Sequence, residues 1–175
     1  MKRANAVILM LIVLGASGCN PCTSFLGEFV SGIEKLFYNK DKGEALLAET
    51  REQVATAEDM IWWFWSMGFE YEEDPLWGII DYQSDPWVSI QTKDGDCEDI
   101  SFLINAILKG RYEESCVLVM TGSPGHAVFA YSISCTWWCL SGTTRIYGPY
   151  ETLEDVAAAR CPMYDDLYIM DRYVW

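Results

Sequence analysis

Cys97 and His126 are the two side chains in this sequence whose types suit nucleophilic chemistry. A thiolate attacks carbonyl carbon readily, and an imidazole can take the thiol proton and return it. His126 is the single histidine, so any such base must be this residue. Cys97 lies in the run Asp94-Gly-Asp-Cys-Glu-Asp99. Asp96 is a good N-cap and Glu98 suits the positive end of a helix. Asp99 stands three positions after the cap, where a side chain can reach back. Ile100, Leu103, Ile104, Ile107 and Leu108 then recur at helical spacing, and Lys109-Gly110 is a fitting stop. The pattern predicts a helix of about 13 residues that begins at Cys97. Cys97 shares a face with Ile100, Ile104 and Ile107, so its thiol is expected to point inward. The helix end favours a thiolate, whereas Asp96, Glu98 and Asp99 oppose one. An imidazole beside the sulfur would overcome them by forming a thiolate–imidazolium pair.

His126 needs a sheet to hold it. Residues 116–121 are aliphatic and β-branched, 121–125 are turn-forming, and 126–131 and 136–141 read as two further strands. Two successive hairpins predict an antiparallel meander. His126 opens its strand just past a Gly-containing turn, at the end of the sheet where the helix start can meet it. A hairpin centred between Ile133 and Ser134 sets Ser141 opposite His126, so the residue that orients the imidazole belongs near Ser141.

The remaining elements are coarser. Residues 25–37 predict a short helix, 39–43 a polar break, and 44–67 one helix that ends in the aromatic run Trp62 to Trp65. That run reads first as packing surface and second as a partner groove. Residues 70–86 are acidic and punctuated by Pro75, Gly78 and Pro86, which predicts turns. A short helix over 151–159 and a last strand over 167–175 complete the chain.

The first residues read as an export signal. Lys2 and Arg3 precede a short apolar run over 6–14, and Gly15 to Gly18 are small residues leading to Cys19. The box resembles a bacterial lipoprotein cleavage site, which implies cleavage before Cys19 and acylation of its thiol. The expected division is therefore 1–18 signal peptide, 19–84 helical N-terminal region and 85–175 core. The expected location is exported and lipid-anchored, at the cell membrane or the outer membrane, facing the periplasm.

The chain carries a formal net charge of -14, from 26 acidic and 12 basic residues. Such a surface repels nucleic acid, so no nucleic-acid partner is expected. Seven cysteines are present. Setting Cys19 and Cys97 aside leaves Cys22, Cys116, Cys135, Cys139 and Cys161, with Cys135 and Cys139 placed to staple a turn. No Cys-x-x-Cys pair has a matching histidine. The run around Asp94, Asp96 and Glu98 lacks the glycine and distal glutamate of a calcium loop. No metal and no cofactor is expected.

Lys93-Asp-Gly-Asp-Cys-Glu-Asp99 followed by an aliphatic helix resembles the transglutaminase-like superfamily, closest to the bacterial transglutaminase-like cysteine proteinases. Gly125-His-Ala-Val-Phe-Ala-Tyr131 looks like that family's histidine strand, and the likeness runs over 85–142. It implies an α+β fold with a papain-like core, the catalytic helix packed on an antiparallel sheet. It also implies Cys97 as nucleophile, His126 as base, backbone N–H groups at the helix start as oxyanion donors, and Gln91 as a possible side-chain donor. The family carries Asp or Asn on the strand after the histidine. Here that place reads Leu140-Ser141-Gly142, so the third member is Ser141, or Asp171 from the last strand. The function implied is a thiol-dependent amide hydrolase, a cell-envelope cysteine peptidase acting on a polypeptide. The alternatives are a catalytically inactive module of the same fold that binds an envelope protein, and a protein-glutamine acyltransferase.

Overall fold

The computed structural model describes residues 37–72 and 83–170. The proposed signal, Cys19, Cys22, Asp171 and most of the expected helix over 25–37 lie outside them. The described chain is mixed α and β, with five helices and a five-stranded antiparallel sheet.

Helix α1 (Lys40–Gln53) starts on Asn39, whose side chain accepts Lys42 N–H at 2.9 Å. Helix α2 (Ala57–Met67) follows. One helix was expected across 44–67, and the structure breaks it at Val54–Thr56. Thr56 and Asp59 form a capping box there, each side chain taking the other's backbone N–H. Trp63 and Phe64 of the aromatic run are buried, whereas Trp62 and Trp65 are 68% and 77% exposed and meet edge to face at 5.9 Å. The run is therefore packing surface on one side and open surface on the other.

Strand β1 (Glu70–Tyr71) pairs in parallel with β2 (Asp94–Gly95), and helix α3 (Pro86–Thr92) lies between them in the chain. Helix α4 (Cys97–Leu108) begins at Cys97 as its pattern predicts. It is buried on more than the expected single face. Ser101, Phe102 and Asn105 are enclosed together with Ile100, Leu103, Ile104 and Ile107, because α3 and α1 cover the side away from the sheet. Burying each of these large aliphatic side chains contributes about 1.5–3 kcal/mol.

The sheet runs β6-β5-β4-β3-β7. Its strands are β3 (Ser115–Gly122), β4 (His126–Ile133), β5 (Thr136–Ser141), β6 (Arg145–Tyr150) and β7 (Tyr164–Met170), and α5 (Leu153–Arg160) connects the last two. The meander over β3, β4 and β5 matches the sequence pattern, whereas β6 was not anticipated. Strand β7 begins at Tyr164, earlier than the expected residue 167, and pairs with β3. Ala127, Phe129 and Tyr131 alternate along β4 with His126, Val128 and Ala130. Phe129 and Tyr131 join the core made with α2 and α4, and Val128 and Ala130 join the core under α5 with Cys139, Val156 and Ala157. The sheet is thus covered on both faces. No described helix is long and apolar enough to cross a membrane.

The hairpin between β4 and β5 differs from the expected register. Its central residues are Ser134 and Cys135, both with left-handed backbone at φ 52° and 61°. That is the geometry of a type I′ turn, although neither residue is the glycine or asparagine that usually marks one. The ladder sets Ile133 opposite Thr136 and Phe129 opposite Leu140, two positions from the expected alignment. The expected Cys135–Cys139 staple is also absent: Cys135 is exposed in the turn, Cys139 is buried in β5, and both are free thiols.

Candidate active site

Cys97 is placed by its cap. Asp96 Oδ1 accepts Glu98 N–H at 2.9 Å and Asp99 N–H at 3.1 Å, which fixes the first turn of α4. Backbone N–H groups at the helix start were the expected oxyanion donors, and those of Glu98 and Asp99 are taken up by the cap. Asp99 is fully buried and turns into the protein, where its Oδ1 accepts Ser84 N–H at 2.6 Å. The preceding Gly95 has φ 158°, and a Cβ built on it would stand 2.6 Å from Asp99 Cβ. Glycine is therefore required at the step into the helix by backbone angle and by space.

The backbone N–H groups of Ala127, the residue after His126, and of Cys97 itself both lower the pKa of the Cys97 thiol. Helix α4 thus delivers the thiol to the beginning of β4. The thiol pKa is pushed up to about 12, first by burial and then by the Asp96 and Glu98 charges, against the lowering effect of the two N–H groups. The resting sulfur is a protonated thiol.

His126 sits half-buried at the first position of β4. Its Nε2 lies 2.9 Å from Ser141 Oγ. Continuing the ladder places Thr143, not Ser141, opposite His126, so the two meet along a diagonal of the hairpin. A register change of two positions keeps every side chain on its face, which is why Ser141 still reaches the ring. The imidazole is held neutral: burial, followed by the charge of Arg160, lowers its pKa below the ordinary 6.5.

Cys97 and His126 share no hydrogen bond in this structure. In the tautomer whose Nε2–H donates to Ser141, the lone pair is on Nδ1, which has no hydrogen-bond partner among the described residues. His126 and Ser141 lie on the face covered by α5, and Cys97 arrives on the helix that packs against the other face. The Cys97 thiol is influenced by the N–H of Ala127, one residue beyond His126 at the beginning of β4.

The Gln91 amide is engaged within its own helix. Its Nε2 donates to Trp87 O at 2.7 Å, and the amide lies under α1, where a Cβ on Gly43 would stand 2.7 Å from it. Sequence reasoning missed two contributors, the Ala127 N–H and Arg160. Backbone direction is invisible in residue types, but a lone arginine closing an otherwise acidic and alanine-rich helix was a signal that could have been read. Among the described residues, no group of three or more His, Cys, Asp or Glu is placed to hold a metal. Compared with known proteins, the chain matches no protein-family model, and no curated protein matches it.

Proposed function

We propose that the protein is a thiol-dependent amide hydrolase with a transglutaminase-like, papain-like core, a cysteine peptidase of the cell envelope tethered by lipid on Cys19. The observation that carries this reading is the pairing of a thiol at a helix start, Cys97, under the influence of the Ala127 N–H, with the residue just before Ala127, a neutral His126 that Ser141 contacts at Nε2. In this reading Nδ1 takes the thiol proton as sulfur attacks the amide carbonyl carbon. The tetrahedral centre collapses as Nδ1–H protonates the leaving amine, and a thioester remains. Water, deprotonated by the same nitrogen, then attacks the thioester and releases the acid. Attack by an amine in place of water would give acyl transfer at the same centre. A thiol held protonated until substrate arrives suits general-base activation rather than a standing ion pair.

The test is cleavage of an unfolded polypeptide, reduced casein, by the full chain, with new N-termini read by mass spectrometry. Cleavage lost in both Cys97→Ala and His126→Ala supports the reading. Cleavage that survives Cys97→Ala, or no cleavage by the wild type, removes it. Two observations favour a second reading, a binding module without catalysis: the sulfur and imidazole are not hydrogen-bonded, and the third position holds a hydroxyl where a carboxylate would stabilise imidazolium. In that reading exposed Trp62 and Trp65 are the contact surface for an envelope partner.

A further inference from the structure

Arg160 closes α5 within an acidic chain, yet it has no ion pair among the described residues. Its guanidinium carbon lies 3.7 Å from the centre of the Tyr147 ring, a stacking contact that fixes the plane of the group. Its Nε is shielded from solvent and has no acceptor, so the fold leaves the hydrogen bonding of this cation incomplete.

The position of the stacked group follows from the ladder. Tyr147 is opposite Cys139 in β5, two residues from Ser141 on the same face. The next residue after Arg160 ties down the histidine end, because Cys161 Sγ donates to Pro124 O at 3.4 Å, in the turn just before His126. Arg145 is directly opposite Ser141 and so shares this face. It too has no carboxylate partner among the described residues. Two arginines without counter-ions among the described residues therefore flank the His126–Ser141 pair, in a protein with 26 acidic and 12 basic residues. The Arg160 charge reaches the imidazole, where it lowers the pKa of His126.

A stacked guanidinium presents its remaining N–H groups edgewise, in the fork that matches a carboxylate. We propose that Arg160, assisted by Arg145, binds a carboxylate of the peptide beside His126 and Ser141, so that the site selects peptides with a negative charge close to the bond attacked. The carboxylate is the chain terminus or an Asp or Glu side chain. The bond attacked rests on the hydrolase reading, whereas the anion site does not.

The experiment measures binding by calorimetry to the full chain carrying Cys97→Ala, which removes turnover. Three probes are used: N-acetyl-trialanine, its C-terminal amide, and N-acetyl-Ala-Glu-Ala amide. The free acid, the glutamyl peptide or both should bind about tenfold or more tighter than the trialanine amide. Which one does so identifies the source of the carboxylate. Arg160→Gln should reduce the preference to about unity. Arg160→Lys should restore part of it, since it keeps the charge but not the fork, and Arg145→Gln should weaken it less. Circular dichroism confirms that each variant is folded, and acetate titrated against the folded parent gives a readout that needs no variant. Equal binding of all three probes, no binding at millimolar concentration, or a preference that survives folded Arg160→Gln overturns the proposal. A preference in a protein that cleaves nothing leaves the anion site standing and removes the hydrolase reading. Cleavage without preference does the reverse.

Discussion

Ser141 Oγ lies 2.9 Å from His126 Nε2 although the two residues are not opposite one another in the β4–β5 ladder. The contact depends on a diagonal reach across the hairpin end, and it is the imidazole's single hydrogen bond to a described residue. Ser141→Ala leaves the ring without its anchor, and kcat/KM for any peptide cleaved should fall by about tenfold to a hundredfold. Ser141→Asp supplies a carboxylate and should raise the pKa of His126, read from the ring-proton shifts in an NMR titration. A titration curve unchanged in both variants would show that the contact does not persist in solution.

This contact also shows how far sequence reasoning reached. The choice of Ser141 came from a hairpin centred one step too early, yet its side chain still meets the ring because the shift was even. The turn itself was not legible, since Ser134 and Cys135 adopt left-handed backbone without the residues that usually announce it. Helix α4 was legible to its first residue, because Asp96 caps it and the aliphatic spacing behind is unbroken. The break between α1 and α2 was missed for a related reason. Val54 and Ala57 continue the apolar spacing across it, and only the Thr56–Asp59 box marks the restart. Strand β6 carries Gly148 and Pro149 in its middle, and those residues argue against a strand unless it lies at a sheet edge, as this one does.

Asp96 has two effects on Cys97 that can be separated. It caps the helix that carries the thiol, and its charge is the second cause, after burial, of the raised thiol pKa. Asp96→Asn keeps a good cap and removes the charge. Its Cys97 pKa should fall below the wild-type value of about 12, and iodoacetamide should alkylate Cys97 faster at pH 8. Asp96→Ala should instead cost about 1 kcal/mol of stability through the lost cap, measured by urea unfolding. Equal alkylation rates for wild type and Asp96→Asn would show that the sulfur does not feel this charge.

Gly95→Ala should destabilise the fold. The added Cβ meets Asp99 Cβ at 2.6 Å on a backbone with φ 158°. Asp99 has little room to give way, because it is fully buried and holds Ser84 N–H. Overpacking of this kind costs about 1 to 3 kcal/mol, and the unfavourable φ adds to it. Gly110→Ala is the control, since it also has a positive φ, of 80°, but meets nothing within 4 Å. Thermal melts that rank Gly95→Ala no lower than Gly110→Ala would remove the steric account.

Acid should stop the reaction before alkali does. His126 must be neutral to accept the thiol proton, and its folded pKa is lowered below 6.5 by burial and then by Arg160. Activity should therefore hold as pH falls to 6.5 and decline only as pH drops through the lowered value. The same shift contributes stability that is present above the unfolded value and lost as pH falls through the folded one. Arg160→Gln removes one cause of the shift, so its acid limb should lie at higher pH. For Cys97 the sign is opposite. Its folded pKa of about 12 stands above the ordinary 9.0, so the associated stability is present below pH 9 and lost as pH rises toward 12. General-base activation by His126 predicts a flat plateau from neutrality to pH 9. A rate that climbs tenfold per pH unit across that range would mean that the thiolate attacks without the histidine.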